Sequence, residues 1–101
     1  VVGAAASLRV PVQGVFTIGA THTYGTLDAL TAARRLTAPS LFVAAEEDGE
    51  GRFVVEAREL YEATPAADKQ LAIFPGAAHG APQLRERPVR ELVDSWIRAR
   101  F

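Results

Sequence analysis

The sequence predicts an α/β fold in which three short parallel strands form one sheet with helices on its faces. Three apolar runs of five to eight residues, each bounded by Gly or Pro, have the composition of buried strands. Helical patterns of apolar residues lie between these runs and after the last one. Because strands and helices alternate along the chain, a parallel sheet is favoured. At 101 residues the chain is expected to form a single domain, 1–101.

The first half of the chain opens with a helical segment. VVGAAASLRV is predicted to be the end of a helix that stops before Pro11, because proline restrains the residue in front of it. The first strand is predicted at residues 12–18, within VQGVFTIG. The segment TLDALTAARRL then predicts a helix, with Thr26 as its N-cap and Pro39 just past its end.

The second half contains two strand–helix units. SLFVAA, residues 40–45, is predicted as the second strand, and RFVVEARELYEAT after it places apolar residues on one helical face. QLAIF, residues 70–74, is predicted as the third strand. The last helix lies in ERPVRELVDSWIRARF, where Pro88 suits the first turn. Four apolar side chains of these two helices are expected to pack on the sheet: Phe53, Leu60, Trp96 and Ile97.

The composition argues against several classes of function. A formal net charge of −1 provides no basic surface for nucleic acid or an anionic membrane. The chain has no cysteine, which excludes disulfides and thiolate metal sites and is compatible with the cytoplasmic location that we predict. No apolar run approaches the ~18 residues of a membrane span. Since methionine is absent even from position 1, we expect the chain to derive from a longer polypeptide.

Two loops with chemically active side chains follow neighbouring predicted strands. Glu46, Glu47 and Asp48 follow the second strand, and His79 follows the third. Each loop alone is typical of ordinary turn chemistry and loop polarity. However, the C-terminal ends of parallel strands lie at one edge of a sheet, so the two loops are expected to be adjacent. A carboxylate beside an imidazole fixes its tautomer, and the histidine can then act as a general base.

The order of these segments resembles the C-terminal part of the α/β-hydrolase superfamily. In that family one strand ends in a turn that carries the acid, as AAEEDG does with Asp48. The next strand ends in a turn that carries the histidine, as FPGAAHG does with His79. The ending WIRARF is similar to the family's last helix, and residues 10–43 also resemble the preceding part, so nearly the whole chain is covered. The resemblance implies an esterase-like or lipase-like hydrolase with Asp48 and His79 as catalytic residues.

The chain departs from the family at the nucleophile. The family order is serine, acid and histidine, with the serine in a G-x-S-x-G turn. This sequence has serine only at Ser7, Ser40 and Ser95, and none stands in such a turn. The resemblance therefore implies that the serine lies in an N-terminal half outside this chain, joined in cis or present as a second polypeptide. The chain would then be the acid–histidine half of a serine hydrolase acting on a small acyl substrate, and inactive alone.

Other residues have alternative interpretations. His22, after the first strand, is placed to line a substrate pocket, although loop polarity explains it as well. Asp28 is a second candidate for the acid, although TLDAL is typical of a first helical turn. We predict no metal, because the acidic residues and His79 lack a second histidine at ligand spacing. We predict no cofactor, because the glycines match no nucleotide-binding fingerprint.

A second class of function remains open. The chain is alternatively a non-catalytic α/β module, or an excised piece, that acts by binding a partner. The first strand is expected to leave an apolar edge unpaired, which favours pairing with another chain or self-association. A G-x-S-x-G sequence encoded ahead of Val1 would distinguish the hydrolase from the binding module.

Overall fold

The structure is a computed structural model of the chain, and it describes residues 12–21, 23–24 and 27–101. The predicted helix at the start of the sequence lies outside these residues. In chain order the elements are β1 (Val15–Ile18), β2 (Thr23–Tyr24), β3 (Leu27–Asp28), α1 (Ala29–Ala33), β4 (Ser40–Ala45), a 3₁₀ helix (Asp48–Gly51), α2 (Arg52–Ala63), β5 (Lys69–Phe74), α3 (Ala81–Arg85) and α4 (Arg87–Arg100).

The three longer strands form the parallel sheet that the sequence predicts. Its order is β1–β4–β5, and β4 pairs in parallel with both neighbours. Ser40 stands opposite Val15 on one side and Lys69 on the other, so all three strands start at the same edge. Their C-terminal ends consequently lie together at the opposite edge of the sheet.

Helices cover both faces of β4, which is why this strand is buried along its whole length. On one face, Leu41 and Val43 pack in a cluster with Val89, Val93 and Trp96 of α4. On the other face, Phe42 packs with Leu60 of α2 and with alanines of α1. Side chains alternate across a strand, so a continuous apolar run serves both clusters. The α/β class and the three-stranded sheet are confirmed.

Two helices match their predicted positions and the other two helices differ from the prediction. α2 and α4 occupy the segments predicted for them, and Pro88 lies in the first turn of α4. α1 is shorter than predicted. Its N-cap is Asp28, whose carboxylate accepts hydrogen bonds from the backbone amides of Leu30 and Thr31. Thr26, the predicted cap, lies outside the described residues. The short helix α3 and the β2–β3 pair were not predicted.

Of the four apolar residues expected on the sheet, Leu60 and Trp96 are buried in its two clusters. Ile97 is 38% exposed and belongs to neither cluster. It lines a surface depression together with Val12 and with Phe16 of β1. Phe53 packs against the loops that follow the strands, as described below. No helix in the described part of the chain has the length and apolar character that a membrane crossing requires.

Candidate functional site

The loops after β4 and β5 are held together by an extension of the parallel strand pairing. Beyond the last paired residues, the amide of Glu46 donates to the Phe74 carbonyl at 2.8 Å, and the amide of Glu47 donates to the Gly76 carbonyl at 2.9 Å. The acidic loop is therefore fixed against the loop that carries His79. Because backbone groups provide both bonds, the fold itself sets the distance between the two loops.

Asp48 and His79 meet at this edge of the sheet. Asp48 Oδ2 lies 2.6 Å from His79 Nδ1, although the two residues are 31 positions apart in sequence. The side chain of Asp48 is 7% exposed, whereas that of His79 is 51% exposed. The two loops are adjacent, as expected, and the contact between their side chains involves Nδ1 of the imidazole. A buried acceptor thus holds one nitrogen of an imidazole whose ring is open to solvent.

A tight turn after Asp48 brings an aromatic ring onto the histidine. The backbone enters the left-handed region at Gly49 and Glu50, with φ values of 57° and 58°. A Cβ on Gly49 would lie 2.8 Å from the ring of Phe53, so the turn needs glycine there. The Phe53 ring in turn contacts His79, with 4.4 Å between ring centroids and 41° between ring planes. The turn at Gly49 and Glu50 therefore positions both the Asp48 carboxylate and the Phe53 ring beside His79.

The residue that follows β1, Gly19, also lies beside the Asp48–His79 pair. Gly19 lies so close to the hydrogen bond that a Cβ there would stand 2.6 Å from His79 Nδ1. Neither the position of Gly19 beside the pair nor the contact of Phe53 with His79 is predicted by the sequence. The only signal for Gly19 was its position directly after a strand at the edge where sites form. Phe53 was expected in the core because its helical position is apolar.

The structure places the other candidates elsewhere or does not describe them. Asp28 caps α1 and is exposed, and its hydrogen bonds with Thr31 hold the pKa of its carboxyl below the usual value. It is therefore occupied as a helix cap, and the acid that contacts His79 is Asp48. His22 lies outside the described residues. Within residues 12–21, 23–24 and 27–101, no group of three or more His, Asp or Glu residues is arranged to hold a metal ion.

The pair has the arrangement that general-base chemistry requires. A carboxylate on Nδ1 favours the tautomer with its proton there, which leaves the Nε2 lone pair free to accept a proton. In the described part of the chain, Nδ1···Asp48 is the only hydrogen bond of the His79 ring. The His79 side chain is 51% exposed, so the described residues do not enclose it.

Solved structures similar to this chain include a lipase. The chain is similar to the crystal structure of a monoacylglycerol lipase from Paleococcus ferrophilus, with a TM-score of 0.53 and 27% sequence identity. The match covers 69% of this chain and 28% of the lipase chain. No family model and no curated sequence matches. The α/β sheet therefore resembles that of a lipase of the α/β-hydrolase family, and the chain spans less than a third of that lipase's length.

Proposed function

We propose that this chain is the acid–histidine half of a serine hydrolase that acts on an ester or a related acyl substrate. The observation that carries the proposal is the 2.6 Å contact of Asp48 Oδ2 with His79 Nδ1 at the C-terminal edge of a parallel sheet. The resemblance of this sheet to that of a lipase supports the same class of reaction. The geometry of the Asp48–His79 pair supports this proposed function more directly than the fold does, because one fold can have many functions.

In this proposal each residue of the pair has a separate role. His79 Nε2 takes the proton of the attacking serine hydroxyl and later returns it to the leaving alcohol. Asp48 holds the ring in the required tautomer and stabilises the imidazolium that forms during the attack. Burial of the carboxylate strengthens this interaction, because water competes poorly for a 7% exposed acceptor.

The nucleophile is proposed to come from outside this chain. Ser40 starts β4, a strand of six residues that separates it by about 18 Å from the turn with Asp48. Its hydroxyl is buried and donates to the Ala38 carbonyl at 2.8 Å. Ser95 lies within α4 and donates to the Leu92 carbonyl at 3.0 Å. Ser7 lies outside the described residues. The positions and hydrogen bonds of the two described serines support a nucleophile from outside this chain.

Labelling with a fluorophosphonate tests this proposal, because the probe reacts with a serine hydroxyl that a histidine has activated. We expect no labelling of the purified 101-residue chain. When the chain is joined to, or mixed with, a polypeptide that carries G-x-S-x-G, we expect the label on that serine. The labelling should be lost in His79→Ala and retained in Glu47→Gln, whose exposed carboxylate lies in the same loop as Asp48. His79-dependent labelling of Ser7, Ser40 or Ser95 would refute the external nucleophile.

A second candidate function is a non-catalytic binding module. The open edge of β1 favours this function. Within the described residues, β1 pairs only with β4, so its other edge has no strand against it. Beside that edge lie apolar side chains that are 38% to 58% exposed: Val12, Phe16, Ile97 and Phe101. An open strand edge beside apolar side chains is a surface on which another strand can pair.

The two candidates differ in what covers this surface. In the hydrolase proposal, the polypeptide with the serine extends the sheet at β1. In the alternative, a second copy of the chain pairs there, and catalysis is absent. Sedimentation of the purified chain distinguishes them with Phe16→Glu, which places a charge at the edge. A dimer that Phe16→Glu dissociates supports self-association, whereas a monomer at every concentration contradicts it.

A further inference from the structure

We propose that Gly19, the first residue after β1, is a positioning residue that keeps the His79 imidazole on the Asp48 carboxylate. The inference rests on the proposed role of that pair and adds a residue from a third loop. Gly19 has a φ of +62°, and a Cβ built on it lies 2.6 Å from His79 Nδ1 and 3.3 Å from Asp48 Oδ2. The backbone of Gly19 therefore lies directly beside the hydrogen bond, in space that only glycine leaves free.

The backbone at this position is held in place by its neighbours. The Gly19 amide donates to the Val43 carbonyl of β4 at 2.9 Å. The next residue, Ala20, packs against the cluster that contains Phe42. Thr21 follows, and its hydroxyl lies 3.2 Å from the Glu56 carboxylate of α2. Three consecutive residues are thus tied to the core or to a helix, so the turn has little freedom to move away.

A side chain at position 19 would consequently displace the pair rather than the turn. Asp48 is buried, whereas the His79 side chain is 51% exposed, so solvent is the direction in which a displaced ring would move. A Cβ at 2.6 Å from a ring nitrogen is closer than van der Waals contact permits. We therefore expect even a methyl group to push the ring off the carboxylate.

Three separate elements surround the pair. Gly19 lies beside the hydrogen bond at the end of β1, and Phe53 contacts the ring from the start of α2. Asp48, from the loop after β4, provides the hydrogen bond itself. Asp48, Phe53 and Gly19 therefore limit the positions that the ring can take, while about half of the His79 side chain remains exposed.

The test is Gly19→Ala in the 101-residue chain, read by the ¹⁵N chemical shifts of the imidazole at pH 9, where an ordinary imidazole is neutral. The His79→Ala spectrum assigns the signals. In the unchanged chain we expect the proton on Nδ1. In Gly19→Ala we expect loss of the Nδ1–H signal and a shift to the Nε2–H tautomer. A folded variant that keeps the proton on Nδ1 would overturn the proposal.

Gly51→Ala is the matched control for backbone strain. Gly51 also has a positive φ, +91°, but a Cβ there would lie 3.7 Å from the Glu46 carbonyl oxygen, an ordinary van der Waals distance. We expect this variant to keep the Nδ1–H tautomer. An equal loss of the signal in Gly51→Ala would mean that strain, rather than contact with the ring, is responsible, and would contradict the inference.

A double variant covers the case in which Gly19→Ala does not fold. Removing the ring in His79→Ala frees the space that a Cβ at position 19 would enter. Gly19→Ala should then destabilise the His79→Ala chain much less than it destabilises the unchanged chain, by urea denaturation. Equal destabilisation in both backgrounds would overturn the proposal. Because these measurements involve no hydrolysis, a failure of the proposed function is distinguishable from a failure of this inference.

Discussion

The carboxylate of Asp48 lies 2.6 Å from Nδ1 of His79, at the point where two neighbouring parallel strands have just ended. Two backbone hydrogen bonds beyond the strands hold the loops of these residues together. The contact thus follows from the sheet topology and from the continued pairing of the loops. It is the basis of the predictions on the site.

Asp48→Asn is expected to change the tautomer of His79. A carboxylate accepts a hydrogen bond from Nδ1–H, whereas an amide can donate one to an unprotonated Nδ1 and so favours the opposite tautomer. The ¹⁵N shifts at pH 9 should show the proton on Nδ1 in the unchanged chain and on Nε2 in the variant. Glu47→Gln removes the same charge from an exposed neighbour and should leave the shifts as they are. If both variants give the same shifts, Asp48 does not orient the ring.

Phe53→Leu is expected to remove an aromatic contact from His79 while it preserves most of the apolar volume. The Phe53 ring lies 4.4 Å from the imidazole, so its ring current affects the carbon-bound imidazole protons. Their proton resonances should move in Phe53→Leu and remain in place in Phe101→Leu, which removes a ring that packs on Trp96 instead. Unchanged resonances in Phe53→Leu would mean that the two rings do not touch in solution.

Val43→Ala is expected to destabilise the fold because Val43 is fully buried in the middle of the sheet. The loss of two methyl groups at about 0.8 kcal/mol each, together with the cavity, lowers the free energy of unfolding by about 2 kcal/mol. The matched control is Val55→Ala, at a position that is 56% exposed on α2, where the change should stay within about 0.5 kcal/mol. Urea denaturation measures both, and equal effects would contradict the central position of β4.

The strands and long helices could be predicted because each has a strong local signal. β4 is apolar after Ser40 because both of its faces are covered, and Pro or Gly bounds each strand. The antiparallel pair of β2 and β3 has only two residues in each strand, too few for any periodicity. α3 has only five residues and a proline in its first turn, so its sequence is typical of a loop.

The candidate pair could also be predicted, because parallel topology places the two loops at one edge and the resemblance to the hydrolase family selects Asp48 and His79 within them. The contacts that orient the ring depend on distances of a few tenths of an ångström, which no spacing rule provides. Gly19 resembles any turn glycine in the sequence, and its closeness to His79 emerges only when β1 is paired with β4. Phe53 is apolar at a helical position, and the tight turn at Gly49 directs it to the histidine instead of the core.

Asp68→Asn is expected to destabilise the chain at neutral pH and to have little effect in acid. Arg100 holds the Asp68 carboxylate by two hydrogen bonds, of 2.7 and 2.9 Å, and lowers its pKa below the usual value. A group whose pKa is lowered in the folded state stabilises that state above the unfolded pKa, about 3.9 for Asp. This stabilisation is lost as the pH falls through the folded pKa.

Urea midpoints at pH 7 and near pH 2 measure this dependence. The urea midpoint of Asp68→Asn should lie below that of the unchanged chain at pH 7, and this difference in midpoint should shrink below about pH 4. Asp94→Asn, which removes an exposed ion pair with Arg98 on α4, is the control and should change the midpoint little at either pH. A difference for Asp68→Asn that is the same at both pH values would show that the ion pair is not its source.

The rate of ester hydrolysis with and without an external serine tests the central claim most directly. The pure chain should hydrolyse an activated ester at background rate, because an imidazole without a positioned hydroxyl and oxyanion donors assists water only weakly. Joined to a polypeptide with G-x-S-x-G, it should turn over ester. His79→Ala should abolish that turnover, and Asp48→Asn should lower kcat by roughly 10³–10⁴-fold. Saturable, His79-dependent hydrolysis by the pure chain would contradict the account.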